Sequence, residues 1–121
     1  MSERVVVLGA SNKPDRYSYL AIQALKDAGH EVIPIHPALE KIQGISVVPS
    51  LDQVEGQVDT ITVYVNPAIL EPLVEEILTV APKRVILNPG TESPSAAKNL
   101  RDAGIKCEEA CTLVLLKTDQ F

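Results

Sequence analysis

Short β-branched segments alternate with helical patterns along the whole chain, and this alternation limits the possible folds more than any other feature. Strands are predicted at five runs, which are residues 5–8, 31–35, 60–65, 84–87 and 105–107. Helices are predicted where apolar residues recur at intervals of three and four, which are residues 17–28, 68–80 and 94–103. Strands that alternate with helices form βαβ units, in which the strands are parallel.

The first, third and fourth of these strands do not alternate cleanly between apolar and polar residues, which is typical of strands buried on both faces of a parallel sheet. We therefore predict a three-layer, Rossmann-like α/β fold with five parallel strands in the order 3-2-1-4-5 and helices on both faces. Residues 43–52 are predicted to be irregular, with a small helix at 51–54. Ligands bind such sheets at the carboxyl ends of the strands, here in a crevice beside strands one and four.

Composition excludes several broad classes of protein. The 121 residues are predicted to form one domain, 1–121, with a net charge of −5 and 3% aromatic residues. We expect no nucleic-acid partner, because such binding favours a basic face and aromatic side chains that stack on bases. No apolar run approaches the ~20 residues of a membrane span, and none has the length of a secretory signal. We therefore expect no membrane partner and a cytoplasmic location.

The loop after the first strand has the chemistry of an anion site. Gly9 allows a tight turn or a close approach of the backbone to a ligand. Hydrogen-bonding side chains in this region are Ser11, Asn12 and Ser18. The free N–H groups of the next helix and the charges of Lys13 and Arg16 would favour a phosphate. An ordinary connecting loop with scattered polar residues is the alternative, and the local residues do not decide between the two.

The dinucleotide-binding fingerprint G-x-G-x-x-G is absent, since the loop is longer and Gly9 is its only glycine. The second strand also lacks a carboxylate at its tip, where NAD-binding proteins hold the ribose hydroxyls. Glu31 lies at the opposite end of that strand. Both observations disfavour NAD as the ligand.

Signals for catalysis and for metal binding are weak. His36 follows the end of the second strand and is the better placed of the two histidines. Cys107 and Cys111 do not by themselves have the spacing of a zinc site or form a disulfide framework. We therefore predict no catalytic and no metal-binding residue. The apolar residues 113–116 pack either on the core or on a second subunit, which leaves a homodimer open.

Three segments carry recognisable motifs. Residues 9–19 read GASNKPDRYSY, residues 29–37 read GHEVIPIHP, and residues 42–44 read IQG. Pro49-Ser50-Leu51, Val58-Asp59 and Cys111 follow at fitting positions. Together these residues closely resemble the CoA-binding domain family, small proteins similar to the amino-terminal domain of the succinyl-CoA synthetase alpha subunit. The resemblance covers nearly the whole chain.

The resemblance implies a Rossmann-like fold that holds coenzyme A or an acyl-CoA across the strand ends. The residues it places at the phosphates are Gly9, Ala10, Ser11, Asn12, Arg16, Tyr17 and Ser18. Those it places beside the adenosine and its 3′-phosphate are His36, Pro37 and Lys41, and those lining the rest of the groove are Asn66, Pro67, Asn88, Pro89 and Gly90. The chain departs from the family pattern at His36, at residues 64–66 and at residues 87–90.

Three functional hypotheses follow. The leading one is noncatalytic binding of coenzyme A or an acyl-CoA, because the chain has no room for the separate domain and second subunit that the synthetases need. The second is a regulatory module that senses another nucleotide, such as NAD(H) or ADP. The third is a small enzyme that uses His36 or Cys111.

Overall fold

One parallel sheet forms the centre of the computed structural model, which describes residues 2–121. The strands are β1 (Arg4–Leu8), β2 (Glu31–Ile35), β3 (Lys41–Ile42), β4 (Ile45–Ser46), β5 (Thr60–Val63), β6 (Arg84–Leu87) and β7 (Lys106–Glu109). Five of them lie in the order β2-β1-β5-β6-β7, and every neighbouring pair is parallel. The predicted five-stranded parallel sheet is confirmed.

Counted along the chain, the five strands lie in the order 2-1-3-4-5. This corresponds to the 3-2-1-4-5 pattern when the residue that pairs with the outer side of β2 is counted as the third strand and β7 as a sixth. Val48 forms a parallel bridge with Ile35 there. β5 is then the fourth strand, and it pairs directly with β1. The placement of residues 60–65 as the third strand is therefore wrong, because the extended segment at Val48 takes that position. The crevice between diverging connections consequently lies between β1 and β5.

Helices cover both faces of the sheet, as predicted. They are α1 (Tyr17–Asp27), α2 (Pro67–Leu70), α3 (Val74–Val80), α4 (Pro94–Asp102) and α5 (Thr112–Lys117). Val5 and Val7 pack with α1 on one face, whereas Val6 and Leu8 pack with α3 and α4 on the other. The apolar run Val5–Leu8 of β1 is therefore buried from both sides of the sheet. Among residues 2–121, no helix is both long enough and apolar enough to cross a membrane.

The predicted helix at 68–80 is broken into pieces. A 3-10 turn at Glu71–Leu73 separates α2 from α3 and contains Pro72. Proline has no N–H to donate and its ring crowds the preceding turn, so the α-helical hydrogen bonding stops there. The helices α1 and α4 lie where they were predicted, and the Ser93 side chain caps α4 by accepting a hydrogen bond from the Ala96 N–H at 3.2 Å.

Two elements lie where the sequence predicts none. β3 and β4 form an antiparallel hairpin whose turn residues, Gln43 and Gly44, have φ angles of 53° and 78°. Two positive φ angles in succession define the turn that suits a two-residue hairpin. α5 follows β7 and packs against α1, with Leu116 directed into the core, whereas Val114 is 54% exposed.

Candidate functional site

The loop after β1 begins with a glycine that no other residue replaces without strain. Gly9 has a φ angle of +92°, and a Cβ on it would lie 2.9 Å from Cγ1 of Val65 and 3.1 Å from the backbone of Tyr64. The first loop and the segment after β5 therefore touch at this point. Since the connections of β1 and β5 diverge here, the contact marks the crevice of the sheet.

The rest of this loop leaves the amino end of α1 without a side-chain cap. Ser11 Oγ accepts a hydrogen bond from the Lys13 N–H at 3.1 Å, and the Lys13 carbonyl accepts one from the Arg16 N–H at 3.1 Å. These turns lead to Arg16, which precedes α1 and makes no capping hydrogen bond with its side chain. The first N–H groups of α1 and the positive end of its dipole are thus directed to the carboxyl edge of the sheet.

The cations at this edge have no carboxylate partner. Lys13, Arg16 and Lys41 are exposed, and none of them forms a salt bridge within the part of the chain that the structure describes. Asp15, which lies between the first two in the sequence, pairs with neither. In a chain of net charge −5, an edge with unpaired cations is the place where an anionic ligand meets the least repulsion.

His36 holds the loop after β2 in shape. Its Nδ1 accepts hydrogen bonds from the Ala38 N–H at 3.0 Å and from the Leu39 N–H at 3.1 Å. A ring nitrogen accepts hydrogen bonds only while it carries no proton. Nδ1 of His36 is therefore occupied by the backbone and is not free to act as a general base.

A first groove lies on the β2 side of the crevice, on the face covered by α3. Its apolar walls include Ile35, Val65 and Ile69, and the predicted residues Gly9, His36 and Pro37 also line it. Ile69 is 51% exposed at its rim, and Glu76 contributes a carboxylate. The groove has a volume of about 220 Å³. It offers an apolar surface and, at Glu76, a hydrogen-bond acceptor, which together suit a flat ring that carries an amino group.

A second groove lies on the α1 and α5 side of the carboxyl edge and has a volume of about 230 Å³. Its lining residues are Tyr17, Tyr64, Asn88, Pro89, Cys111 and Leu113. Tyr17 is 72% exposed, and its backbone directly follows that of Arg16. The second groove is therefore continuous with the open amino end of α1.

Asn88 forms the floor of the second groove and ties three elements together. Its Nδ2 donates to Thr62 Oγ1 at 2.7 Å and to the Val63 carbonyl at 2.9 Å, and its Oδ1 accepts from the Thr112 N–H at 2.9 Å. The residue is only 2% exposed. Its side-chain hydrogen-bonding groups are used by the protein itself, so Asn88 shapes the groove and fixes the start of α5.

Tyr64 lies beside this network. Burial raises the pKa of Tyr64 to about 12, and the nearby Thr62 and Thr112 hydroxyls oppose that shift only in part. Thr62 and Thr112 hydrogen-bond to each other at 2.7 Å. Within residues 2–121, the buried Tyr64 hydroxyl has no hydrogen bond of normal distance and angle. Tyr64 stays neutral at physiological pH and brings no charge to the second groove.

The other predicted site residues occupy different surroundings. Asn66 caps α2, because its Oδ1 accepts from the Ile69 N–H at 3.0 Å, and Pro67 is the first residue of that helix. Ala10 and Ser18 are buried. Asn12, Pro89 and Gly90 are exposed at the edge, and Lys41 is exposed at the start of β3.

The groove-lining residues that were not predicted from the sequence include Tyr64, Leu113 and Glu76. Tyr64 could have been found, since it follows β5 at the edge where ligands bind. The other two lie on helices that pack toward this edge, and only the tertiary structure brings them there. The described residues include no group of three or more His, Cys, Asp or Glu side chains that could hold a metal ion.

The model of a protein family described as CoA binding domain matches residues 3–117. The chain belongs to the CoA-binding domain family. An uncharacterized protein of this kind, YneT of Bacillus subtilis, is 31% identical over 103 residues, which are 85% of this chain and 76% of YneT. The match of this CoA-binding domain to a relative with a named activity is shorter. The alpha subunit of the ADP-forming acetate–CoA ligase II of Pyrococcus furiosus is 32% identical over 62 residues, which are 50% of this chain and 14% of that subunit.

A solved structure has the same fold over the whole chain. The crystal structure of an uncharacterized protein superimposes on this CoA-binding domain with a TM-score of 0.94 and 38% sequence identity. It covers 100% of this chain, and 99% of that protein is covered in return. The fold of the domain is therefore found again at full length, and the predicted family is confirmed.

Proposed function

We propose that this domain binds coenzyme A or an acyl-CoA at the carboxyl edge of its sheet and does not catalyse a reaction on it. The observation that carries the proposal is the pair of unpaired cations, Lys13 and Arg16, at the uncapped amino end of α1. Helix N–H groups and a guanidinium are the donors that phosphate oxygens prefer. Membership of the CoA-binding domain family supports the same ligand.

The two grooves suit the two arms of such a ligand. Coenzyme A has a diphosphate in its middle, an adenosine 3′-phosphate on one side and a pantetheine chain on the other. In our proposal the adenine enters the first groove, where the Glu76 carboxylate can accept a hydrogen bond from its amino group. Lys41, which follows the loop after β2, meets the 3′-phosphate. The pantetheine chain then runs past Tyr17 toward the second groove.

The absence of catalysis in this proposal is supported by the contacts of His36. Two backbone N–H groups occupy its Nδ1, so the histidine serves the loop. No carboxylate stands at the tip of β2, where a dinucleotide would need one for its ribose. Coenzyme A is therefore preferred to NAD in the proposal.

Isothermal calorimetry on the full chain tests the proposal with coenzyme A, NAD and ADP as ligands. Arg16→Ala removes a charged hydrogen bond to phosphate, which is worth roughly 1.5–3 kcal/mol, so coenzyme A should bind about tenfold more weakly or worse. Thermal unfolding should change little, because Arg16 forms no salt bridge within residues 2–121.

Lys117→Ala is the matched control, since Lys117 is an exposed cation at the opposite end of α5. It should leave the affinity for coenzyme A unchanged. Equal binding of coenzyme A by Arg16→Ala and the parent would remove Arg16 from the site. Binding of NAD at least as tight as that of coenzyme A would overturn the choice of ligand.

A further inference from the structure

We infer that the second groove holds the acyl end of the ligand and selects uncharged short acyl groups over acyl groups that end in a carboxylate. The inference rests on the proposed binding of acyl-CoA and adds the class of acyl group to it. It is carried by the chemistry of the six residues that line the groove, which are Tyr17, Tyr64, Asn88, Pro89, Cys111 and Leu113.

The position of the groove assigns it to the acyl end. All phosphates of coenzyme A need cations, and the free cations of the edge lie at the amino end of α1 and at Lys41 beyond β2. The second groove begins beside Tyr17 at the start of α1, extends over the ends of β5 and β6, and has none of these cations in its lining. Its volume of about 230 Å³ is below the ~300 Å³ at which pockets begin to enclose whole small ligands. It therefore suits one end of a larger molecule.

The lining offers a buried carboxylate one neutral donor, the Tyr64 hydroxyl, but no positive charge. It includes no Lys, Arg or His side chain among the residues that the structure describes. Both N–H groups of the Asn88 amide are already donated to Thr62 and Val63. The first N–H of α5, at Thr112, is donated to Asn88 Oδ1. A carboxylate placed here would lose its water without gaining a cation, which is strongly unfavourable.

Arg16 is the cation closest in sequence to this groove. It directly precedes Tyr17 but does not line the groove, and in the proposed function its guanidinium is engaged by phosphate. A neutral acyl chain meets the apolar surfaces of Pro89 and Leu113 and the ring of Tyr17, so its burial is favourable. The same groove thus attracts one class of acyl group and rejects the other.

Calorimetry with coenzyme A, butyryl-CoA and succinyl-CoA tests the inference, because the two acyl groups have four carbons each and differ in the terminal carboxylate. The parent protein should bind butyryl-CoA at least as tightly as coenzyme A and at least tenfold more tightly than succinyl-CoA. Leu113→Arg places a cation in the lining and should narrow the ratio of butyryl-CoA to succinyl-CoA affinity at least fivefold. Val114→Arg adds the same charge at the next residue, which is 54% exposed and outside the groove, and should leave the ratio as it is.

The outcomes separate this inference from the proposed function. If none of the three compounds binds, both are overturned. If coenzyme A binds and the parent holds succinyl-CoA as tightly as butyryl-CoA, the inference alone is overturned. The same holds if Val114→Arg narrows the ratio as much as Leu113→Arg does. Circular dichroism verifies the fold of each variant, and the ratio measured on the parent decides the matter if Leu113→Arg does not fold.

Discussion

The two edges of the sheet differ in whether their cations form salt bridges. At the amino edge, the salt bridges are Arg4–Glu31 at 2.9 Å, Lys83–Asp59 at 3.3 Å, Arg84–Glu3 at 3.4 Å, Lys106–Glu108 at 3.5 Å and Arg84–Glu108 at 3.7 Å. At the carboxyl edge, Lys13, Arg16 and Lys41 form no salt bridge within residues 2–121. The cations of the amino edge thus bind the protein's own carboxylates, and those of the carboxyl edge remain available to a ligand.

Cleft size alone favours the amino edge, opposite to the edge that we propose as the binding site. The amino edge has the larger cleft, of about 540 Å³, compared with about 220 and 230 Å³ for the two grooves. Its cations Lys83, Arg84 and Lys106 are already neutralised, so an anion there would have to displace a carboxylate. The charge available to a ligand therefore favours the carboxyl edge, whereas the volume favours the amino edge.

The largest effect on stability is expected from Gly9→Ala at the carboxyl edge. A side chain at a φ angle of +92° costs about 1–2 kcal/mol, and the clash with Val65 and the Tyr64 backbone adds about 1–3 kcal/mol. We expect the free energy of unfolding to fall by about 2–5 kcal/mol in urea titrations. The binding of coenzyme A should weaken as well, since the same clash displaces the first loop.

Gly90→Ala is the control for the conformational part of this effect. Gly90 has the same φ angle of +92°, and nothing lies within 4 Å of the place where its Cβ would be. It should lose only about 1–2 kcal/mol, the cost of the backbone conformation. Equal losses in the two variants would mean that the contact between the loops after β1 and β5 contributes nothing.

Arg84→Ala should lower the stability of the protein and leave its affinity for coenzyme A unchanged, whereas Arg16→Ala should lower the affinity and leave the stability unchanged. The Arg84 side chain is 13% exposed, donates to Thr60 Oγ1 at 3.1 Å and packs 4.5 Å from the centre of the Phe121 ring. Loss of its charged hydrogen bonds should reduce the free energy of unfolding by about 2 kcal/mol. The affinity for coenzyme A, measured by calorimetry, should stay within twofold of the parent.

A loss of coenzyme A binding in folded Arg84→Ala would contradict the comparison, in which the amino-edge cations stabilise the fold and the carboxyl-edge cations bind the ligand. So would a stable Arg84→Ala together with a strongly destabilised Arg16→Ala. Both variants remove one guanidinium, so their comparison holds the change in net charge constant. Any difference between the two variants in stability or in coenzyme A affinity therefore comes from the position of the arginine.

The parts of the fold that follow from local pattern were predictable. The apolar runs, the glycine at the end of α1 and the Ser93 cap of α4 each act within a few residues. The short extended segment at Val48 was not predictable in this way, because a single bridge to Ile35 defines it. β5 pairs with the other side of the β2-β1 pair, directly beside β1, so the loops after β1 and β5 form the crevice.

The site was predictable where residues follow strands and less so elsewhere. Gly9, His36 and Asn88 come directly after strands, and all three lie at the carboxyl edge. Their roles could not be read from the sequence, since the partners of Asn88 lie on β5 and α5. Leu113 lines the second groove only because α5 packs back against α1, which is a tertiary contact.

The smallest effect concerns Asp59 at the amino edge and appears as a dependence on pH. A hydrogen bond from the Arg4 N–H at 2.8 Å, together with Lys83, holds the pKa of Asp59 below its usual value of 3.8. A carboxylate with a depressed pKa in the folded state stabilises the protein above its unfolded pKa, and this contribution is lost as the pH falls below that value. Asp59→Asn should therefore be less stable than the parent at pH 7, and the difference should shrink toward pH 3. Thermal unfolding from pH 3 to pH 7 measures this difference in stability.

A difference that stays constant over this range would contradict the prediction. It would show that the negative charge of Asp59 does not contribute to stability, and that its hydrogen bond from the Arg4 N–H stabilises the protein equally well with a neutral acceptor.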